Sequence, residues 1–271
     1  MVSRFPGGYI VSADADQIEL RTAGVLSGEP FFVDAFNADP PIDVHSQAAQ
    51  SIWGLDEIFT RYPTLRTAPL HLWKREKGWK ARERQVGKRR NFASLFRAGA
   101  DKMQASVHSD IGELLPLSIF QRIADARPHE MPVLWEWQNS LIREAELHGS
   151  VTLPLTGISR TFLGGDDYII NEIVNFPVQA TAASTIREIQ NECHVEVRRR
   201  RLQRRIRIFL NIYDAVVADC ATRSDVLTFQ SIFLDSLRKV QTCGYWARLQ
   251  SLTGNSVLLG AEFKVSPSLP E

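Results

Sequence analysis

The chain has 271 residues, 44% of them hydrophobic, and a formal net charge of +1. It is long enough to bury a sizeable core. No apolar run approaches the ~20 residues of a bilayer span, and the longest candidate, Ile206 to Ala218, is interrupted by Arg207, Asn211 and Asp214. The amino terminus lacks the basic, apolar and small-residue layout of a secretory signal, so a cytoplasmic protein with no membrane partner is expected. Cys193, Cys220 and Cys243 are odd in number and show no CxxC spacing, which suggests neither a disulfide framework nor a zinc site.

In chain order, Tyr9 to Ala13 is apolar and β-prone after Gly7 and Gly8 and leads into DADQIELR, predicting strand, turn and helix. Asp16 with Glu19 fits a helix N-cap and a variant capping box, and Gly28 fits a stop near Leu26. From Ile52 to Arg143 the pattern is mostly helical, with breaks near Pro63, Pro69, Pro116, Pro128 and Pro132. Val151 to Asp166, with Gly164 and Gly165, returns to strand and turn, and a helix follows. After Pro177 the run VQATAASTIREIQNEC is helical, and Ile206 to Val217 reads as two β arms meeting at Tyr213 and Asp214.

Charge is unevenly placed. Nine Lys or Arg fall between Lys74 and Arg90, and seven Arg between Arg198 and Arg207. Such blocks suit a DNA cleft; the second reads equally as a solvated helix face, and the first gains weight from its spacing. The first has a further pattern: Arg84, Lys88, Phe92 and Phe96 recur every fourth residue, forming a ridge of ~18 Å on a helix. Two cations and two aromatics suit a triphosphate and a base, but the pattern alone fits better an amphipathic helix with core Phe residues.

Asp14 and Asp214 close the other constellation. Each ends or joins apolar β segments, and on adjacent strands their carboxylates could bind two divalent ions. Taken singly, either Asp is better read as a turn former.

Together these motifs resemble DNA polymerase family A over nearly the whole chain. DADQIELR, with DVH at 43 to 45, is similar to the first catalytic motif, usually DYSQIELR followed by DIH. Arg84, Lys88, Asn91 and Phe92 match the fingers motif RxxxKxxNF. NFPVQATAAS at 175 to 184 looks like NAPMQGTAAD, and NIYDAVV at 211 to 217 occupies the place of VHDELV. The resemblance implies an α+β fold: a right-hand polymerase palm, an antiparallel sheet with helices, in two parts (1–51 and 144–271), plus a helical fingers subdomain at 52–143.

It also implies template-directed synthesis from dNTPs on primer-template DNA. Asp14, Asp214 and the Ala15 carbonyl would hold two Mg²⁺ ions, with Lys88 assisting catalysis. Glu19 would be a steric gate against ribonucleotides. Gln17, His45, Arg84, Lys88, Phe92 and Phe96 would meet the nucleotide or template base. Asn175, Gln179 and Tyr213 would touch the primer-template. Departures from the family pattern are Asp16 for Ser, Arg97 for Gly, Asn171 for Arg and Ala215 for Glu. The family's thumb, exonuclease-like region and PNLQNIP segment have no counterpart in the sequence. A split enzyme of phage origin would take the thumb and any exonuclease from a companion chain; an inactive remnant that keeps DNA binding, or a gene fragment, is the alternative.

Overall fold

The computed structural model describes residues 3–162 and 167–267. In chain order its elements are β1 (Tyr9–Ala15), α1 (Ile18–Ser27), α2 (Pro30–Asn37), α3 (Val44–Trp53), α4 (Leu55–Arg61), two 3₁₀ segments (Pro63–Arg66 and Leu70–Arg75), α5 (Lys77–Ala81) and α6 (Glu83–Phe96). There follow α7 (Ala100–Ile111), α8 (Leu117–Glu130), α9 (Pro132–His148), β2 (Ser150–Thr152), β3 (Ser159–Thr161) and α10 (Asp167–Arg199). The chain ends with β4 (Ile206–Ile212), β5 (Ala215–Cys220), α11 (Arg223–Cys243), α12 (Tyr245–Thr253) and β6 (Ala261–Pro267). Gly164 and Gly165 lie outside the described residues. This mixture of helices with an antiparallel sheet is the α+β class expected.

Two compact units divide the chain, one of residues 1–22 and 179–271, the other of residues 23–178. The first holds a four-stranded antiparallel sheet in the order β4, β5, β1, β6. Alternation sets its faces. Val11 and Ala13 of β1 are fully buried with Val216, Ala218 and Cys220 of β5, and Phe263 of β6 meets Phe233 of α11 edge to face at 5.8 Å. The opposite register positions, Ser12 and Asp14, carry polar side chains, and they pair in register with Lys264 and Glu262 of β6. On α10, Ile186, Ile189, Cys193 and Val197 recur at helical spacing and are buried. Glu192 of the same helix takes the Lys239 ammonium of α11 at 2.5 Å.

The second unit has three apolar clusters: Val86, Met103, Val107 and Phe120 among α6, α7 and α8; Ile58, Leu65, Trp73 and Trp79 beneath α3; and Leu141, Val151 and Ile173. Where α6 crosses α3 the backbones approach so closely that a Cβ on Gly87 would stand 2.1 Å from the His45 carbonyl oxygen. Only glycine fits there.

Three local expectations need correction. Asp16 is not the cap of α1: the Gln17 carbonyl accepts the first intrahelical bond, from Arg21 N–H at 3.1 Å, while the Asp16 carboxylate pairs with Arg21. Pro128 lies inside α8 rather than breaking it. The Ala124 carbonyl, which Pro128 cannot serve, accepts instead from Arg127 Nε at 3.2 Å. Pro177 likewise lies within α10, which is one helix of 33 residues.

Candidate active site

In the sheet unit, β1 and β5 are neighbours, with Asp14 opposite Ala215, and the Ala15 N–H donates to the Asp214 carbonyl at 3.1 Å. This pairing brings together two carboxylates that stand 200 positions apart in sequence. Asp214 reaches its place through a two-residue turn between β4 and β5 in which Tyr213 takes φ +54°. A non-glycine residue gives up roughly 1–2 kcal/mol to hold that left-handed conformation. The Tyr213 side chain is 92% exposed.

The electrostatic consequence falls on Asp14. Burial, then the charge of Asp214 and a hydrogen bond with it, push the Asp14 carboxyl up to about 6, against the pull of Lys264. Glu19 on the first turn of α1 is also raised, by burial and by Asp214. Glu19, Gln179, Ile186, Tyr213 and Asp214 line one open cleft of about 550 Å³. Gln17, at φ +53°, donates through Nε2 to Asp16 at 3.2 Å, and its buried Oε1 has no hydrogen-bond partner among the described residues.

Two adjacent hard-oxygen ligands that repel one another, with the Ala15 carbonyl beside them in sequence, fit a divalent cation such as Mg²⁺. No group of three or more His, Cys, Asp or Glu gathers around a metal position among the described residues. The negative charge expected from Asp16 beside the pair is offset: Arg21 Nη2 meets its carboxylate at 2.8 Å and Arg21 Nε its carbonyl at 2.6 Å. Sequence reasoning passes over Glu262 and Lys264, whose fields reach Asp14. The alternation in AEFKVSP is the signal for a strand presenting both on one face.

In the helical unit, α6 carries Arg84, Lys88, Phe92 and Phe96 on successive turns. Phe92 and Phe96 stand 6.1 Å apart between ring centroids, and His45 lies 6.2 Å from Phe92. The His45 imidazole is buried, and Asn91 Nδ2 sits 3.2 Å from its Nδ1 while donating to the Val44 carbonyl at 2.9 Å. Arg84 does not project freely: its Nε and Nη2 grip the Asp43 carboxylate at 2.7 and 2.9 Å. Asn175 lines a small cavity of about 170 Å³ with Phe92, Phe96 and Asn171, and its buried Oδ1 has no hydrogen-bond partner among the described residues. The DVH motif marks Asp43, but nothing in the sequence announces its ion pair.

Arg97 shows why glycine is usual at its position. It caps α6 at φ +52°, a left-handed conformation that glycine holds without cost. The arginine is anchored by Gln138 Oε1 at 2.8 Å, Asn139 Oδ1 at 2.6 Å and the Trp135 ring at 3.8 Å. Burial and the nearby Arg127 charge lower its guanidinium to about 10.

One unit thus carries a sheet with two neighbouring carboxylates, and the other a helix with cations and aromatics in one row. The sequence profile of DNA polymerase family A matches residues 1–244, and the chain belongs to that family. No curated protein matches it. Among solved structures it is similar to the one described as the POL domain of Pol1 from M. smegmatis in complex with DNA primer-template and dNTP, with a TM-score of 0.68 and 15% identity. That similarity, a matter of fold, covers 98% of this chain and 41% of the other. No helix among the described residues is long and apolar enough to cross a membrane.

Proposed function

We propose that this chain is the catalytic core of a template-directed DNA polymerase, adding dNTPs to a primer 3′-hydroxyl. The observation that supports it most is the pairing of β1 with β5, which sets Asp14 beside Asp214 in a family A chain. Asp14, Asp214 and the Ala15 carbonyl would hold two Mg²⁺ ions, which when bound supply the positive charge that stabilises attacking and leaving oxygens. With the Asp14 carboxyl raised to about 6, the cation-free pair takes up a proton below that pH, so cation binding competes with protons on the acid side.

The residues around the pair have separate tasks in this reading. Glu19 occupies cleft space that a ribose 2′-hydroxyl needs and excludes ribonucleotides by collision. Gln17 is poised near the nucleotide, with one amide oxygen still to be satisfied. Gln179 and Tyr213 touch primer-template in the cleft they line. On α6, Lys88 offers its ammonium to the triphosphate, and Phe92 and Phe96 offer faces to sugar and base. His45 supports that row, Asn175 contacts the duplex, and Arg84 serves the triphosphate through the position that Asp43 gives it.

The names palm, for 1–51 and 144–271, and fingers, for 52–143, belong to this reading, as does a companion chain that supplies a thumb and possibly an exonuclease. A polymerase that lacked a thumb's phosphate contacts would hold its duplex weakly, which is the reason to expect that partner. The test is extension of a labelled primer-template with Mg²⁺ by the purified chain, alone and with a thumb-bearing partner. Asp214→Ala is expected to abolish extension while leaving the circular dichroism spectrum intact, and Glu19→Ala to admit ribonucleotides. Extension by a pure, folded Asp214→Ala preparation would overturn the assignment.

A further inference from the structure

Two residues of the arginine cluster at 198–207, Arg198 and Arg207, line a groove that the candidate active site does not use. α10 ends there, with Arg201 at φ +58° turning the chain toward β4. Some of the cluster is neutralised: Arg199 and Arg200 pair with Glu196, and Arg205 pairs with Asp225 at 2.8 Å. Arg198, Arg201, Arg204 and Arg207 are exposed and have no carboxylate within 4.0 Å among the described residues. Arg4, His194, Arg198, Arg207 and Phe209 line the groove, which holds about 420 Å³. Phe209 falls where the register of β4 shifts between Ile208 and Leu210, and it is 44% exposed.

We propose that this groove is a binding site for single-stranded nucleic acid, separate from the cleft of Asp214 and sharing no lining residue with it. A helix C-terminus presents only about half a negative charge, so it accounts for one arginine and not for four unpaired ones. A polyanion supplies the counter-charge that these arginines lack. The exposed Phe209 ring selects among polyanions, because a single strand offers unstacked bases to an aromatic face and a duplex does not. Burial and the Arg198 charge lower His194, so the groove keeps its charge through arginine alone across the neutral range.

The site stands on its own residues and does not require the polymerase reading. Binding of fluorescent dT20 is followed by anisotropy as a function of salt. Arg198→Ala/Arg204→Ala/Arg207→Ala is expected to weaken binding at least tenfold at low salt. The log–log salt slope should fall by about 2, since each phosphate that no longer meets an arginine removes roughly 0.7. Phe209→Ala is expected to weaken binding about tenfold with the slope kept, as removal of one stacking surface predicts. Wild-type affinity and slope in the triple variant would overturn the proposal, as would a poly-Glu peptide that displaces dT20 at equal charge. Binding of dT20 is read without Mg²⁺ or dNTP and primer extension with both, so the two readings fail separately.

Discussion

At the scale of single residues, close backbone approach decides more than side-chain chemistry. Gly87 lies in the middle of α6, where alanine would ordinarily favour the helix by about 1 kcal/mol. Here the added methyl would stand 2.1 Å from the His45 carbonyl oxygen and 2.9 Å from the Ala49 nitrogen, both backbone atoms that cannot swing aside. Overpacking of this kind costs roughly 1–3 kcal/mol, more than the helical gain. Gly87→Ala is therefore expected to lower Tm by several degrees, and a Tm at or above wild type would mean that α3 and α6 do not approach this closely. The same approach fixes the height of His45 beside Phe92, so the packing defect should also disturb the aromatic row.

Between elements, the Asp43–Arg84 pair ties the start of α3 to α6, with Ser46 Oγ donating to the same carboxylate at 2.6 Å and Trp79 Nε1 donating to Ser46 at 2.8 Å. Burial acts to raise the Asp43 carboxyl, but the hydrogen bonds and charge of Arg84 outweigh it and hold the group below the usual carboxylate range. A depressed carboxyl contributes stability that is present above its unfolded value, near about 4, and is lost as pH falls through the folded value. Asp43→Asn is expected to flatten that acid limb in denaturant titrations. It should also cost on the order of 3 kcal/mol at neutral pH, because Arg84 stays mostly buried and unpaired. An acid limb identical to wild type would place its origin elsewhere. Elements with local signals are legible in sequence: the hairpin at Tyr213 and Asp214, and α6 with its four-residue spacing. Asp16 and Pro128 depart from expectation because tertiary partners intervene: Arg21 takes the Asp16 carboxylate, and Arg127 serves the carbonyl that Pro128 leaves free. The adjacency of Asp14 and Asp214 is hidden for a related reason, since strand order is a long-range property.

Across the whole molecule, a net charge of +1 conceals local imbalance of both signs. Most of the Arg residues of α6 and its approach are neutralised, Arg82 by Glu113, Arg89 by Asp110 and Arg90 by Glu130, whereas four of the later cluster have no carboxylate partner among the described residues. The negative counterpart is the Asp14–Asp214 pair, held in the unit formed by residues 1–22 and 179–271, while residues 23–178 are continuous and have their own apolar clusters. If the pair is a cation site, Mg²⁺ binds the folded sheet and not the unfolded chain. At ten times its dissociation constant, it should then stabilise by about 1.4 kcal/mol. Thermal melts with and without Mg²⁺ check this directly. Wild type should shift upward, and Asp214→Asn should not. A shift that survives in Asp214→Asn would move the cation away from the carboxylate pair and remove the main support for metal-assisted nucleotidyl transfer at this hairpin.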